Sequence, residues 1–149
     1  MSGAASNTMS GRSVGKTSVE RLLAAIGYPE RISNGFAPFT LRVDGAEVVA
    51  EEMNGRLVLS CKLTDGENLL PMLATYAAGR MLKEEAALSY GDGWAFLWQG
   101  ASAGADSHEL RMLFETFMNS CDWWRARVDA LLGNTEVAAG VPETMMIRP

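Results

Sequence analysis

Arg56-Leu57-Val58-Leu59-Ser60-Cys61-Lys62-Leu63 is the stretch on which the reading of the fold turns. Leu57, Leu59, Cys61 and Leu63 fall on one side of an extended chain, and Arg56, Val58, Ser60 and Lys62 on the other. That period of two predicts a strand with one face in a core. Immediately before it stands Asn54-Gly55, a pair suited to a two-residue hairpin turn, where both positions need positive φ. Ala46 to Met53 reads as the preceding strand and Asp44-Gly45 as a second tight turn. Phe39, Leu41 and Val43, alternating with Thr40 and Arg42, supply a first strand. Three strands and two turns make an antiparallel meander.

Helices flank it. Thr17-Ser18-Val19-Glu20 has the spacing of a capping box, Val19, Leu22, Leu23 and Ile26 recur at helical spacing, and Gly27 supplies the stop. After the meander, Thr64-Asp65-Gly66 ends the last strand and a second helix is expected from about Asn68 to Ala86, with Pro71 in its first turn. Leu69, Leu70, Met72, Leu73, Tyr76, Ala77, Met81 and Leu82 circle that helix almost completely, so it needs cover on two sides, the second being another subunit. A further hairpin spans Ala87 to Gln99 and turns at Gly91-Asp92-Gly93. Trp94, Phe96 and Trp98 share one of its faces, Ala95 and Leu97 the other, and both faces are apolar. Asp106-Ser107-His108-Glu109 resembles a capping box and opens a long last helix. Its stripe runs through Leu110, Leu113, Phe114, Phe117, Cys121, Trp124, Val128 and Leu131 to a stop at Gly133. The expected class is α+β: helix, three-stranded meander, helix, β-hairpin, long C-terminal helix.

The 149 residues suit one domain, which buries roughly 70% of its unfolded surface without a disulfide or metal staple. Residues 1–15, rich in Ser, Gly and Ala, read as a flexible leader, 16–133 as the domain and 134–149 as a tail. Eighteen acidic against thirteen basic side chains leave a net charge of −5. That balance argues against nucleic acid, whose binding needs surplus Lys and Arg, and against anionic membranes. No signal peptide or membrane span is visible, and two widely separated cysteines suit free thiols in a cytoplasmic protein, with one long-range disulfide as the alternative.

Catalytic signatures fail one by one. Gly11-Arg12-Ser13-Val14-Gly15-Lys16-Thr17 imitates a phosphate loop, but it has three residues between its glycines where four are required, and a Ser/Gly segment where a strand should precede it. His108 is the single histidine, and with two distant cysteines it fits no familiar zinc spacing. Cys121, thirteen residues beyond it on an apolar stripe, reads as a buried thiol and not as half of a nucleophile pair. Glu51-Glu52 and Glu84-Glu85 are adjacent in sequence, so each pair splits across faces. No enzyme, metal or cofactor is expected.

The order of elements, with Thr40-Leu41-Arg42-Val43-Asp44-Gly45 after a short first helix and the Arg56–Leu63 strand leading into Asn68-Leu69-Leu70-Pro71-Met72-Leu73, resembles the class I type III secretion chaperones, the Tir-chaperone-like family, over about Lys16 to Gly133. The resemblance implies a cytoplasmic homodimer without a cofactor. It would bind the N-terminal segment of a secreted effector and yield it to a secretion ATPase. Effector-binding positions implied by it are Val19, Leu22, Leu23, Ile26, Leu41, Val43, Val49 and Val58. Dimer positions implied by it are Leu73, Tyr76, Ala77, Arg80, Met81 and Trp94. Partner-switching regulators of secretion gene expression use the same scaffold, and a small ligand-binding α+β domain with the Trp-rich hairpin as a pocket wall is the other class the residues leave open.

Overall fold

A computed structural model describes residues 17–29, 37–80, 82–102 and 104–140. The leader, most of the loop-like Gly11–Thr17 stretch, Met81 and the last nine residues lie outside the described residues. In chain order the elements are α1 (Ser18–Ile26), β1 (Phe39–Val43), β2 (Ala46–Met53), β3 (Arg56–Asp65), α2 (Leu70–Arg80), β4 (Ala87–Gly91), β5 (Trp94–Gly100) and α3 (Ser107–Gly140). The strands form one antiparallel sheet in the order β1-β2-β3-β5-β4.

Turn chemistry sets the hairpins. Asp44-Gly45, Asn54-Gly55 and Asp92-Gly93 all hold positive φ at both central residues, which matches the right-handed twist of the strands they join. Helix starts follow the sequence too. Thr17 Oγ1 accepts the Glu20 amide while Glu20 accepts the Thr17 amide, and Asp106 and Glu109 make the same reciprocal pair at the start of α3.

One face of the sheet is closed. Leu41, Val48, Ala50, Leu57, Leu59, Cys61, Ala95 and Leu97 point inward and meet Val19, Leu22 and Leu23 of α1 and Leu110, Phe114, Phe117, Cys121, Trp124 and Val128 of α3. The helices are tied where they meet: Arg21 donates to the Ala105 carbonyl at 2.7 Å and Arg111 to the Ala25 carbonyl at 3.3 Å. Both cysteines are free and buried in the same core, Cys61 on β3 and Cys121 on α3.

Three expectations need correction. The second helix is shorter than Asn68–Ala86, because the Lys83 and Glu84 amides both turn back to the Arg80 carbonyl and the chain reverses toward β4. Leu63 still packs against the core but is only half-buried. A register shift between Lys62 and Thr64 inserts one residue, and Thr64 takes the buried place opposite Ala95. Finally, α3 runs through Gly133 to Gly140: one glycine weakens a helix by roughly 1 kcal/mol and does not by itself end it. Among the described residues no helix is long and apolar enough to cross a membrane.

Candidate functional site

The other sheet face has no helix over it among the described residues. The strand pleat sends Val49, Glu51 and Met53 of β2, Val58, Ser60 and Lys62 of β3, and Trp94, Phe96 and Trp98 of β5 outward. Trp98 is 38% and Met53 49% exposed, large values for side chains of this size. A groove of about 630 Å³ lies between Met53, Val58, Phe96 and Trp98, with Glu51 and Arg56 at its rim. A second, of about 650 Å³, adjoins it along Ser60 and Phe96 and includes Val49, Lys62 and Trp94.

Both tryptophans are held by contacts within the chain. The Trp98 indole donates to Ser89 Oγ at 2.8 Å, which fixes its ring against the face. Lys62 Nζ stands 4.7 Å from the centre of the Trp94 ring, a cation–π contact at the edge of the second groove. The surface thus offers apolar rings held in place, with a thin charged border. It is built to take up apolar side chains. Among the described residues, no cluster of three His, Cys, Asp or Glu side chains could hold a metal.

A second feature lies on the helical side. Glu84, 7% exposed in its side chain, accepts from Arg80 at 2.7 and 3.1 Å and from the Trp124 indole at 3.1 Å. Burial pushes its carboxyl up, but these donors and the Arg80 charge more than offset that and hold it below the usual carboxylate range. Arg80 also stacks on Trp123, 3.8 Å from the ring centre, with Arg127 at 4.6 Å and Tyr76 edge-on at 6.0 Å. This knot pins the end of α2 to α3. Beyond it α2 turns Met72, Thr75 and Ala78 to solvent, and Leu82, just past its end, is 94% exposed.

No protein-family model and no curated protein matches the chain. Solved structures do. A chain of the HopA1–SchA chaperone–effector complex aligns with a TM-score of 0.61 at 12% identity, covering 81% of this chain and 99% of that one. A chain of the ExoU–SpcU heterodimeric complex from the type III secretion system of Pseudomonas aeruginosa aligns at 0.54 and 23% identity, over 70% and 93%. A chain of the complex of the Yersinia pestis type III secretion chaperone SycH with a stable fragment of YscM2 aligns at 0.52 and 14%, over 71% and 95%. The fold is that of a type III secretion chaperone.

On this chaperone fold the expected binding positions divide. Val19, Leu22, Leu23 and Leu41 are at most 5% exposed, so they belong to the core and present nothing to a partner. Ile26 and Val43 are half-buried against that core. Val49 and Val58 do stand on the open face, in the two grooves. Of the dimer positions, Leu73 is fully buried and must be corrected to core. Tyr76, Ala77 and Arg80 are half-buried around the Trp123 knot, while Trp94 stands on the outer sheet face with Phe96 and Trp98. Met81 lies outside the described residues. Sequence reasoning left Met53, Phe96 and Trp98 out of the site, although the alternation of Trp94, Phe96 and Trp98 with the smaller Ala95 and Leu97 was the signal. The smaller pair went inward because α3 already fills the core with Phe114, Phe117 and Trp124.

Proposed function

We propose that the protein is a cytoplasmic secretion chaperone. It holds an extended N-terminal segment of a secreted effector, keeps that effector soluble and secretion-competent, and delivers it to the secretion apparatus, working by binding and not by catalysis. The observation that carries this reading is the uncovered outer sheet face, with its adjoining apolar grooves around Val58, Phe96, Trp98 and Val49. Its fold is shared with chains of chaperone complexes, one of them a chaperone–effector complex, which supports the same role here. An extended client would set alternate side chains into the grooves, the usual way in which a sheet-bound peptide gains selection. The protein acts as a homodimer, with the outward side of α2 (Met72, Thr75, Ala78) and Leu82 as the contact.

Co-expression with individual secreted proteins, followed by size-exclusion chromatography, tests this. The expected product is a complex with two copies of the chaperone that is lost when the early residues of the effector are deleted. A protein that stays monomeric at micromolar concentration and retains no secreted protein overturns the reading. Retention of a small regulatory protein in place of an effector would move it to a partner-switching regulator.

A further inference from the structure

On the helical side of the sheet a cleft of about 730 Å³ opens between one flank of α3, the connection from α2 to β4 and the end of β5. Gln99 continues the inward row of Ala95 and Leu97, so its side chain leaves β5 toward α3 and lines this cleft. The residue is 4% exposed. Its Nε2 donates to Glu85 Oε1 at 3.1 Å, while its buried Oε1 has no hydrogen-bond partner among the described residues. That one bond fixes the amide's orientation, because an ionised carboxylate only accepts and must face the nitrogen. A buried carbonyl oxygen without a donor is rare in folded proteins and calls for an explanation.

The surroundings narrow the kind of donor. Glu85 is exposed and has no ion pair among the described residues, whereas Arg80 in the same wall is held by Glu84. Lys83 also lines the cleft, without pairing to Glu85. The Gln99 oxygen sits about 2.3 Å from its own nitrogen, so it stands at most about 5.4 Å from Glu85 Oε1. One nitrogen making two hydrogen bonds of about 2.8 Å spans that gap. A compact ammonium, with three donors and a positive charge, meets both oxygens; a carboxylate or phosphate has no proton for either. Trp123, the aromatic wall on which a cation would otherwise settle, already carries Arg80 at 3.8 Å and Arg127 at 4.6 Å. Beside these polar groups, Met112, Leu113 and Ala105 line the cleft with apolar surface, Met112 being 48% exposed. Such surface suits a methylene stem.

We propose that this cleft binds a primary ammonium group on an apolar stem, carried either by a free alkylamine or by a lysine side chain of a bound peptide. The ammonium donates to Gln99 Oε1 and to Glu85, and its stem lies along Met112 and Leu113. Such an amine is charged at neutral pH, and the protein's net charge of −5 favours its approach. The cleft lies on the opposite side of the sheet from the grooves around Phe96 and Trp98, so a ligand here leaves those grooves open. Its chemistry does not depend on the chaperone role.

The native protein, labelled with nitrogen-15, is titrated by NMR at pH 7 and constant ionic strength with n-butylammonium chloride. A parallel titration uses tetramethylammonium chloride, which carries the charge but no N–H. The Gln99 side-chain amide and the Glu85 and Ser120 backbone amides should shift and saturate with n-butylammonium and not with tetramethylammonium. Q99M keeps the volume and removes the acceptor, so it should weaken binding by about tenfold or more, the loss of one hydrogen bond to a charged group. N-acetyl-lysine N-methylamide identifies the source. Saturation by it as well assigns the cleft to peptide lysines, and saturation by n-butylammonium alone assigns it to free amines. Three outcomes overturn the proposal: no saturable shift at Gln99, which leaves its Oε1 to water alone; equal shifts with both ammonium salts; or an unchanged affinity in Q99M. E85Q, with a comparable loss expected, takes the place of Q99M if that variant does not fold. The comparison of the two salts on the wild type is independent of whether an effector binds.

Discussion

Replacing Glu84 with Gln alters one atom at a point where Arg80 and Trp124 converge. The Gln oxygen can still accept from Trp124, so the change falls on the Arg80 side. There an amide N–H would face the guanidinium, and two charge-assisted hydrogen bonds of 2.7 and 3.1 Å are lost. Bonds to a charged group contribute about 1.5–3 kcal/mol each, but Arg80 is 29% exposed and water recovers part of its loss. The expected cost is therefore ~2 kcal/mol at neutral pH, with E84A at about 3–5 kcal/mol because Trp124 is also left unpaired in the core. With a urea slope of about 2 kcal/mol per molar, E84Q moves the unfolding midpoint down by roughly 1 M. The pH dependence follows from the lowered carboxyl. A group whose pKa is lower folded than unfolded adds stability above the unfolded value, about 4.3, and loses it as pH falls through the folded value. Wild type and E84Q should thus differ fully at pH 7 and converge as the pH falls below the ordinary carboxylate range. Urea titrations followed by far-UV circular dichroism at one protein concentration measure both quantities. An unchanged midpoint at pH 7, or a gap that persists undiminished in acid, would refute the account of Glu84 as an ionised anchor.

The division between core and open face gives a contrast in stability: L22A should cost about 2–5 kcal/mol in urea unfolding, and V58A under about 1 kcal/mol. F96E and V58D should abolish co-elution with a secreted effector on size-exclusion while leaving the far-UV spectrum unchanged, because neither side chain supports the inner core. Charging the outward side of the second helix with M72E and L82E should convert the proposed dimer to monomer in sedimentation velocity, with the thermal midpoint of the monomer fold retained. At the Asn54-Gly55 turn, G55A forces a Cβ into a positive-φ position and should lower stability by about 1 kcal/mol, read as a shift in the urea midpoint.

Local chemistry was legible wherever a feature depends on neighbours in sequence. The Asp44-Gly45 and Asn54-Gly55 turns, the Thr17/Glu20 and Asp106/Glu109 caps and the stripe from Leu110 to Val128 all formed as their residues require. What escaped the sequence were choices made by the third dimension. Nothing local says that Ala95 and Leu97, and not the tryptophans beside them, meet the helices; the bulk of Phe117 and Trp124 decides it. The first-helix leucines have the same composition as a binding patch, and only the packing of α1 on α3 shows Leu22 and Leu23 to be interior. Likewise the Lys62–Thr64 register shift buries Thr64 beside a half-buried Leu63, and a pairing partner in β5 is needed to see it.

Strand order carries a last consequence. The first groove sits over β3 and β5, which lie inside the sheet, with their main-chain groups paired to each other and to β2 and β4. A segment lying there finds no free backbone to pair with and is sorted by the shape of its side chains alone. Unpaired main-chain groups lie instead along the outer edge of β4, which has no strand beside it among the described residues; on the opposite edge, the Arg42 amide is already given to the Tyr28 hydroxyl. On the proposed role, side-chain selection falls to the groove and main-chain pairing to the edge, so a charge placed in the groove removes the anchors of a client and leaves the edge of β4 as it was.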